Sequence, residues 1–131
     1  MDINELSPLE VFSYFQEICA IPHGSGNTGM IADYCLEFAK LHGLKARKDT
    51  SDNVVIFKAG SSGYEDREPV ILQGHLDMVC EKQPDSDIDM SVQSIKACTD
   101  GKMVWADGTT LGADDGIACL LYTSDAADDK A

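Results

Sequence analysis

Two short stretches carry residues that could do chemistry. In the first, VILQGHLDMVCE, an apolar run ends at Gly74 and is followed at once by His75 and Asp77. Side chains alternate faces along a strand, so His75 and Asp77 are predicted to project to one side, just past the strand's carboxyl end. A histidine that binds a metal usually donates its other ring N–H to a carboxylate or carbonyl. The pair therefore fits one part of a zinc site, and alone it fits a surface loop as well.

The second stretch, DGTTLGADDG, places Asp114 and Asp115 side by side between glycines, at a predicted strand-to-helix junction. Adjacent carboxylates repel unless a cation or a helix N-terminus offsets their charge. One interpretation is structural, with Asp115 as the N-cap of a helix that begins at Gly116. The other combines this stretch with His75, because a carboxylate can bridge two zinc ions roughly 3.5 to 4 Å apart.

Two further motifs favour plain loops. GSGNTG, residues 24–29, matches the G-x-G-x-x-G dinucleotide fingerprint, but that fingerprint follows a strand and here a helix is predicted before it. A flexible turn is the favoured interpretation, and NAD binding is the weaker alternative. DSDID, residues 85–89, resembles the start of a calcium loop, yet Met90 and Lys96 occupy the positions that need glycine and glutamate. A solvated acidic loop is predicted there.

The elements that must position these residues begin with two amphipathic helices. Ser7 as N-cap, Pro8 at the first helical position and Glu10 in a capping box predict the first helix, which ends at Ile21-Pro22. The second has Gly43 at its C-terminal cap. Apolar residues at three- and four-residue spacing form the two stripes: Val11, Phe12, Phe15, Ile18 and Cys19, then Ile31, Tyr34, Cys35, Phe38 and Leu41.

Strand patterns follow the helices. They are predicted at residues 44–49, 53–58 and 69–74, and residues 91–108 predict a hairpin that turns at Asp100-Gly101, the pair that a type I′ turn favours. Helices followed by a parallel or mixed strand layer indicate an α/β fold, a mixed β-sheet flanked by helices. Open sheet edges in such a layer predict that a longer chain covers them.

Composition limits the classes of function. The chain has 131 residues, 44% hydrophobic and 25% charged, which is typical of one globular domain or less. Its net charge of −13 disfavours nucleic acids and anionic membranes as partners. The start lacks a signal sequence and no apolar stretch is long enough to span a membrane, so a cytoplasmic protein is expected. Five cysteines without C-x-x-C spacing indicate reduced, mostly buried thiols.

Three segments in order, EICAIPHGSGN, QGHLDMVCEK and ADGTTLGADDGIA, resemble the amino-terminal part of the aminoacyl-histidine dipeptidases. These are also called cytosolic non-specific dipeptidases or bacterial carnosinases, in the zinc aminoacylase and carboxypeptidase superfamily. The resemblance runs from the first helix to about Ala118. It implies that residues 1–118 are the amino-terminal portion of an α/β catalytic domain, which is incomplete here.

The resemblance also implies roles. His75 corresponds to a zinc ligand, Asp114 to the carboxylate that bridges two zinc ions, and Asp77 to the catalytic-site residue that orients the metal site. The peptide bond after Asp114 is cis in that family. The implied reaction is metal-dependent hydrolysis of dipeptides of the Xaa-His type and related ones, by a parent that forms homodimers. The family's Glu-Glu base and its later ligands have no counterpart in this sequence, so the chain alone is expected to be inactive.

The last segment, residues 119–131, departs from the family. CLLYTSDAADDKA resembles a translated sequencing-library adaptor, which predicts a non-native tail. A second hypothesis for the whole chain is a small, non-catalytic binding or interaction domain. That hypothesis requires a fold that is self-sufficient, with no exposed apolar sheet edge.

Overall fold

The computed structural model describes residues 2–128 and contains three α-helices and four short strands. Helices and strands together confirm the predicted α/β class. In chain order the elements are a short 3-10 helix Ile3–Glu5, α1 Leu9–Cys19, α2 Gly29–Leu41, β1 Lys45–Lys48, β2 Val54–Phe57, β3 Ala97–Thr99, β4 Val104–Ala106 and α3 Gly116–Asp128.

The first helix begins later and ends earlier than predicted. Ser7 is not its N-cap: Pro8 takes that place with an extended ψ of 132° and no side-chain cap, so the helix starts at Leu9. The capping box lies upstream instead, between Asp2 and Glu5 of the 3-10 helix. The end of α1 at Cys19 precedes the predicted Ile21-Pro22 stop. The predicted apolar stripe and the helix itself are nevertheless confirmed.

The second helix forms where it was predicted, but Leu41, predicted on its apolar stripe, is 84% exposed because it lies at the helix end, beyond the buried face. It ends at Leu41, and Gly43 has a φ of +70°, the left-handed conformation that favours glycine after a helix. On its buried face α2 carries Ile31, Ala32, Cys35, Phe38 and Ala39.

Among the described residues the strands form two separate antiparallel pairs rather than the one mixed β-sheet predicted, because the apolar run at residues 69–74 pairs with neither of them. In the first pair Lys45 lies opposite Phe57, and in the second Ala97 lies opposite Ala106. The predicted hairpin is thus confirmed, but its two-residue type I′ turn is wrong because four residues, 100–103, separate the paired positions. The Asp100 carboxylate accounts for the wider loop, since it accepts the backbone N–H groups of Lys102 and Met103, each at 2.8 Å.

The predicted third strand, residues 69–74, is wrong for the part of the chain that the structure describes. This segment is irregular, and Val70, Ile71 and Leu72 are 85%, 86% and 64% exposed. An apolar run becomes a buried strand only when another strand satisfies its backbone hydrogen bonds and other side chains cover it. None of the four described strands pairs with it.

The core lies directly beneath the two motif stretches. One cluster joins the three helices to the Asp114 loop through Ile18, Ile31, Cys35, Phe38, Ala113 and Leu120, with Leu76 packed against it. A second cluster contains Cys19, Met78, Met90 and Ile95. Residues 119–128 continue α3. That residues 119–131 form a non-native tail stays a prediction, and residues 129–131 lie outside the described part.

All five cysteines are free, as predicted, but only Cys19 and Cys35 are buried, and Cys80 is exposed. Burial raises the pKa of the Cys19 thiol to about 11 and that of Cys35 to about 12. These two thiols are therefore protonated at neutral pH and act as small apolar groups. Within residues 2–128, every helix is too short or too polar to cross a membrane.

Candidate active site

The structure brings together the three residues that the sequence singles out. His75 Nδ1 lies 3.0 Å from the backbone oxygen of Asp77 and 3.3 Å from its Oδ1. The other ring nitrogen, Nε2, lies 3.6 Å from Asp114 Oδ1, although 39 positions separate the two residues in the sequence. Both neighbours of Nδ1 are acceptors, an arrangement that favours the Nδ1–H tautomer, and Nε2 faces Asp114.

The site is open to solvent on the side of Asp114. The Asp114 side chain is 93% exposed and that of His75 is 56% exposed, whereas that of Asp77 is 38% exposed. Ser25 also fixes the position of the Asp77 side chain, because its hydroxyl donates a hydrogen bond to Asp77 Oδ2. This hydrogen bond is the main cause that holds the pKa of the Asp77 carboxyl below its usual value, and His75 adds to it. Asp77 is therefore ionised at neutral pH.

Backbone hydrogen bonds on both sides fix the stretch that carries Asp77. On one side, Met78 donates its N–H to the His23 oxygen at 3.0 Å and accepts the Ser25 N–H at 3.1 Å, which makes a parallel bridge. On the other side, Thr110 donates its N–H to the Glu81 oxygen at 2.9 Å. The first motif is thus held between the loop after α1 and the loop before α3.

The Asp114 loop approaches Met78 so closely that glycine is required in it. Gly112 has a φ of +72°, and a Cβ placed there would lie 2.6 Å from Met78 Sδ and 3.4 Å from His23 Nε2. Ala113 follows and is buried in the first core cluster, with 2% of its surface exposed. The G-A-D sequence therefore turns its small residues inward and presents Asp114 at the surface.

The second aspartate is placed differently from the first. A Cβ at Gly74 would lie 2.7 Å from Asp115 Oδ2, so the end of the apolar run passes directly beside this carboxylate. Asp115 immediately precedes α3, and its backbone oxygen accepts the N–H of Ala118 at 2.9 Å. The peptide bond between Asp114 and Asp115 is cis, as the resemblance implies.

Sequence reasoning missed two residues of this arrangement, Ser25 and His23. Ser25 lies in the motif that was assigned to a flexible turn, and nothing in its spacing indicates a contact with Asp77. His23 precedes that motif and belongs to no site that the sequence predicts, but it is 2% exposed and its Nδ1 lies 2.6 Å from the Ile21 oxygen. The signal available for both was the position of EICAIPHGSGN as the first of three ordered segments.

The two remaining motifs behave as loops. GSGNTG follows α1 and leads into α2, so the strand that a dinucleotide fingerprint requires is replaced by a helix. Asp85, Asp87 and Asp89 are exposed, and Met90 is buried where a calcium loop needs glycine. Among the described residues, no group of three or more His, Cys, Asp or Glu side chains is arranged to hold a metal ion.

Comparison with known proteins gives a consistent result. The sequence is 39% identical over 129 residues to the cytosol non-specific dipeptidase of Escherichia coli (strain K12). The aligned region covers 98% of this chain and 27% of that protein. The structure matches that of an aminoacylhistidine dipeptidase from Vibrio alginolyticus with a TM-score of 0.83 and 39% identity. The match covers 95% of this chain and 25% of the Vibrio chain. No protein-family profile matches the sequence.

The chain therefore spans about a quarter of the length of the two dipeptidases that it matches. At 39% identity and a TM-score of 0.83, the likeness extends to both sequence and backbone. The chain is thus similar, in sequence and in fold, to about a quarter of a cytosol non-specific dipeptidase and of an aminoacylhistidine dipeptidase.

Proposed function

We propose that this chain forms part of the catalytic domain of a zinc-dependent dipeptidase, with His75 and Asp114 as metal ligands. One observation carries the proposal: His75 Nε2 lies 3.6 Å from Asp114 Oδ1, although the two residues belong to motifs far apart in the sequence. The names of the two related proteins support peptide hydrolysis, and the word cytosol in one of them supports a cytoplasmic location.

The chemistry of the donor set fits zinc. Neutral imidazole nitrogen and carboxylate oxygen are both common zinc ligands, and Asp77 supplies the partner that a ligating histidine needs at its other nitrogen. Two ligands are fewer than the three or four that a zinc site takes. His75 and Asp114 would therefore form only part of the site, and we propose that the larger protein supplies the other ligands.

Each of the three residues has a distinct task in this proposal. Asp77 accepts a hydrogen bond from the Nδ1–H of His75 and so keeps the lone pair of Nε2 available to bind the metal. Asp114, which is exposed, adds a carboxylate that would favour two cations close together. Zinc in such a site would polarise the scissile carbonyl and make water a better nucleophile near neutral pH.

The finer parts of the proposal come from the resemblance. These are two zinc ions, dipeptides of the Xaa-His type and related ones as substrates, and a homodimeric parent. Because the chain spans about a quarter of its relatives, we expect the 131-residue chain alone to be inactive. An EDTA-sensitive dipeptide hydrolysis by the purified chain would contradict that expectation.

Metal titration of the purified chain tests the proposed ligands. We expect weak binding of Zn²⁺ or Co²⁺, lost in His75→Ala and strongly reduced in Asp114→Asn, because each removes one of two donors. Asp85→Asn is the matched control, since it removes a carboxylate from an exposed loop outside the site. Equal binding by the wild-type chain and His75→Ala would overturn the proposal.

A further inference from the structure

Ser25 contacts the candidate site from outside the two motifs. Its hydroxyl donates to Asp77 Oδ2 and lies 3.5 Å from the Met78 oxygen. The position of Ser25 is itself fixed, because its N–H donates to the Met78 oxygen at 3.1 Å and the Met78 N–H donates to the His23 oxygen at 3.0 Å. The hydroxyl is thus held beside Asp77 by the backbone on either side of it.

The two carboxylate oxygens of Asp77 have different partners. Oδ2 accepts the Ser25 hydroxyl, while Oδ1 lies 3.3 Å from His75 Nδ1. An aspartate side chain can rotate about two bonds, so a hydrogen bond to one oxygen also fixes the direction of the other. The His75 ring is therefore held by two contacts at Nδ1: the Asp77 backbone oxygen at 3.0 Å, and Oδ1 at 3.3 Å, whose direction depends on Ser25.

We propose that Ser25 is a positioning residue of the metal site. Its hydroxyl fixes the Asp77 carboxylate, which in turn holds His75 with Nε2 toward Asp114. In its consequence for metal binding this inference rests on the proposed function, but the contacts themselves exist without a metal. Partners that lie one contact beyond a ligand, as Asp77 does, typically change metal affinity 10- to 100-fold when they are removed, and Ser25 acts one contact further out through Asp77.

The metal-free chain gives the first test. Long-range ¹H–¹⁵N spectra report which ring nitrogen of a histidine carries the proton. In the wild-type chain we expect His75 as the Nδ1–H tautomer, because Nδ1 faces two acceptors of Asp77. In Ser25→Ala we expect a smaller share of this tautomer, and in Ser25→Thr, which keeps the hydroxyl, the wild-type spectrum. His42, whose Nδ1 lies 2.8 Å from the Phe38 oxygen, is an internal reference for folding.

The second test measures Co²⁺ affinity by competition with a chromophoric chelator. We expect Ser25→Ala to bind about 10-fold more weakly than the wild-type chain, or weaker still, and Ser25→Thr to bind almost normally. Ser61→Ala is the matched control, because it removes a hydroxyl from an exposed loop outside the motifs. A loss caused only by poor folding would change the His42 signals too, and we expect these to stay unchanged.

The outcomes separate this inference from the proposed function. If Ser25→Ala keeps both the wild-type His75 spectrum and the wild-type Co²⁺ affinity while His75→Ala loses binding, Ser25 is not a positioning residue and the metal site stands. If His75→Ala binds Co²⁺ like the wild-type chain, the proposed function fails. The metal-free spectra of Ser25→Ala still decide the role of Ser25 in that case.

Discussion

The two ends of the stretch VILQGHLDMV have opposite environments although both are apolar. Ile71 is 86% exposed, and the described residues offer its segment no strand to pair with. Met78, seven positions later, is 4% exposed and packs against Cys19 and Ile95. Its backbone N–H and oxygen are both bonded to the loop after α1.

Local sequence does not explain this difference, because β-propensity and hydrophobicity favour a buried strand at both ends. The difference lies in long-range partners. The loop after α1 satisfies the backbone of Met78 and the second core cluster covers its side chain, whereas Ile71 has neither. The part of the chain that carries the site is therefore structurally self-sufficient, and the part that leads into it is not.

The largest predicted contrast in stability comes from replacing one residue at each end of this stretch by alanine. Met78→Ala removes a buried side chain from the second core cluster, and we expect it to lower the free energy of unfolding by about 2–5 kcal/mol. Ile71→Ala changes an exposed side chain and should stay within about 0.5 kcal/mol of the wild-type chain. Urea denaturation followed by circular dichroism measures both. A comparable loss in the two variants would mean that residues 70–72 are buried in solution.

A second contrast isolates the close approach of the two motifs. Gly112 and Gly63 both have positive φ values, +72° and +87°, but only Gly112 has a neighbour within 4 Å of the Cβ that alanine would add. Gly63→Ala should cost about 1–2 kcal/mol from the left-handed backbone alone. Gly112→Ala should cost about 1–3 kcal/mol more, because Met78 Sδ must move.

The same pair of variants also reports on the site. We expect Gly112→Ala to displace the Asp114 loop and weaken Co²⁺ binding, while Gly63→Ala keeps the wild-type affinity. Equal unfolding free energies for the two alanine variants would show that the Gly112 loop does not touch Met78 in solution. The burial of Met78 would then have to be explained by its contacts with the loop after α1 alone.

Those parts of the fold that depend on local signals were predictable. The stripes of α1 and α2, the Gly43 cap and the hairpin around Asp100 each depend on residues close together in sequence. The pairing of His75 with Asp77 was predictable for the same reason, since two residues along an extended chain point to one side. The approach of Asp114 was suggested only by the combination of two motifs and by the resemblance.

What the sequence did not predict depends on distant contacts. Ser25 lies 52 positions before Asp77, and no periodicity relates the two. The strand predicted at residues 69–74 has the right composition but no partner among the described residues, and composition does not report on a partner. The four-residue hairpin loop reflects the side chain of Asp100, which competes with the tight turn for backbone N–H groups.

The smallest effect on stability, but the most informative for the alternative hypothesis, is expected from Ile71→Lys. An extended apolar segment with free backbone groups pairs readily with other chains, so we expect the 131-residue chain to self-associate as its concentration rises. Leu41→Lys is the matched control: it removes an apolar side chain that is 84% exposed and adds the same charge, but on a helix whose backbone is already hydrogen-bonded.

Sedimentation velocity should therefore show that Ile71→Lys reduces association much more than Leu41→Lys, with both variants within about 0.5 kcal/mol of the wild-type unfolding free energy. Such a result means that residues 70–72 need a partner strand, as expected for part of a larger catalytic domain. A wild-type chain that stays monomeric at high concentration and unfolds cooperatively would instead favour a self-sufficient binding domain. The exposed run at residues 70–72 thus separates the two hypotheses without any measurement of catalysis.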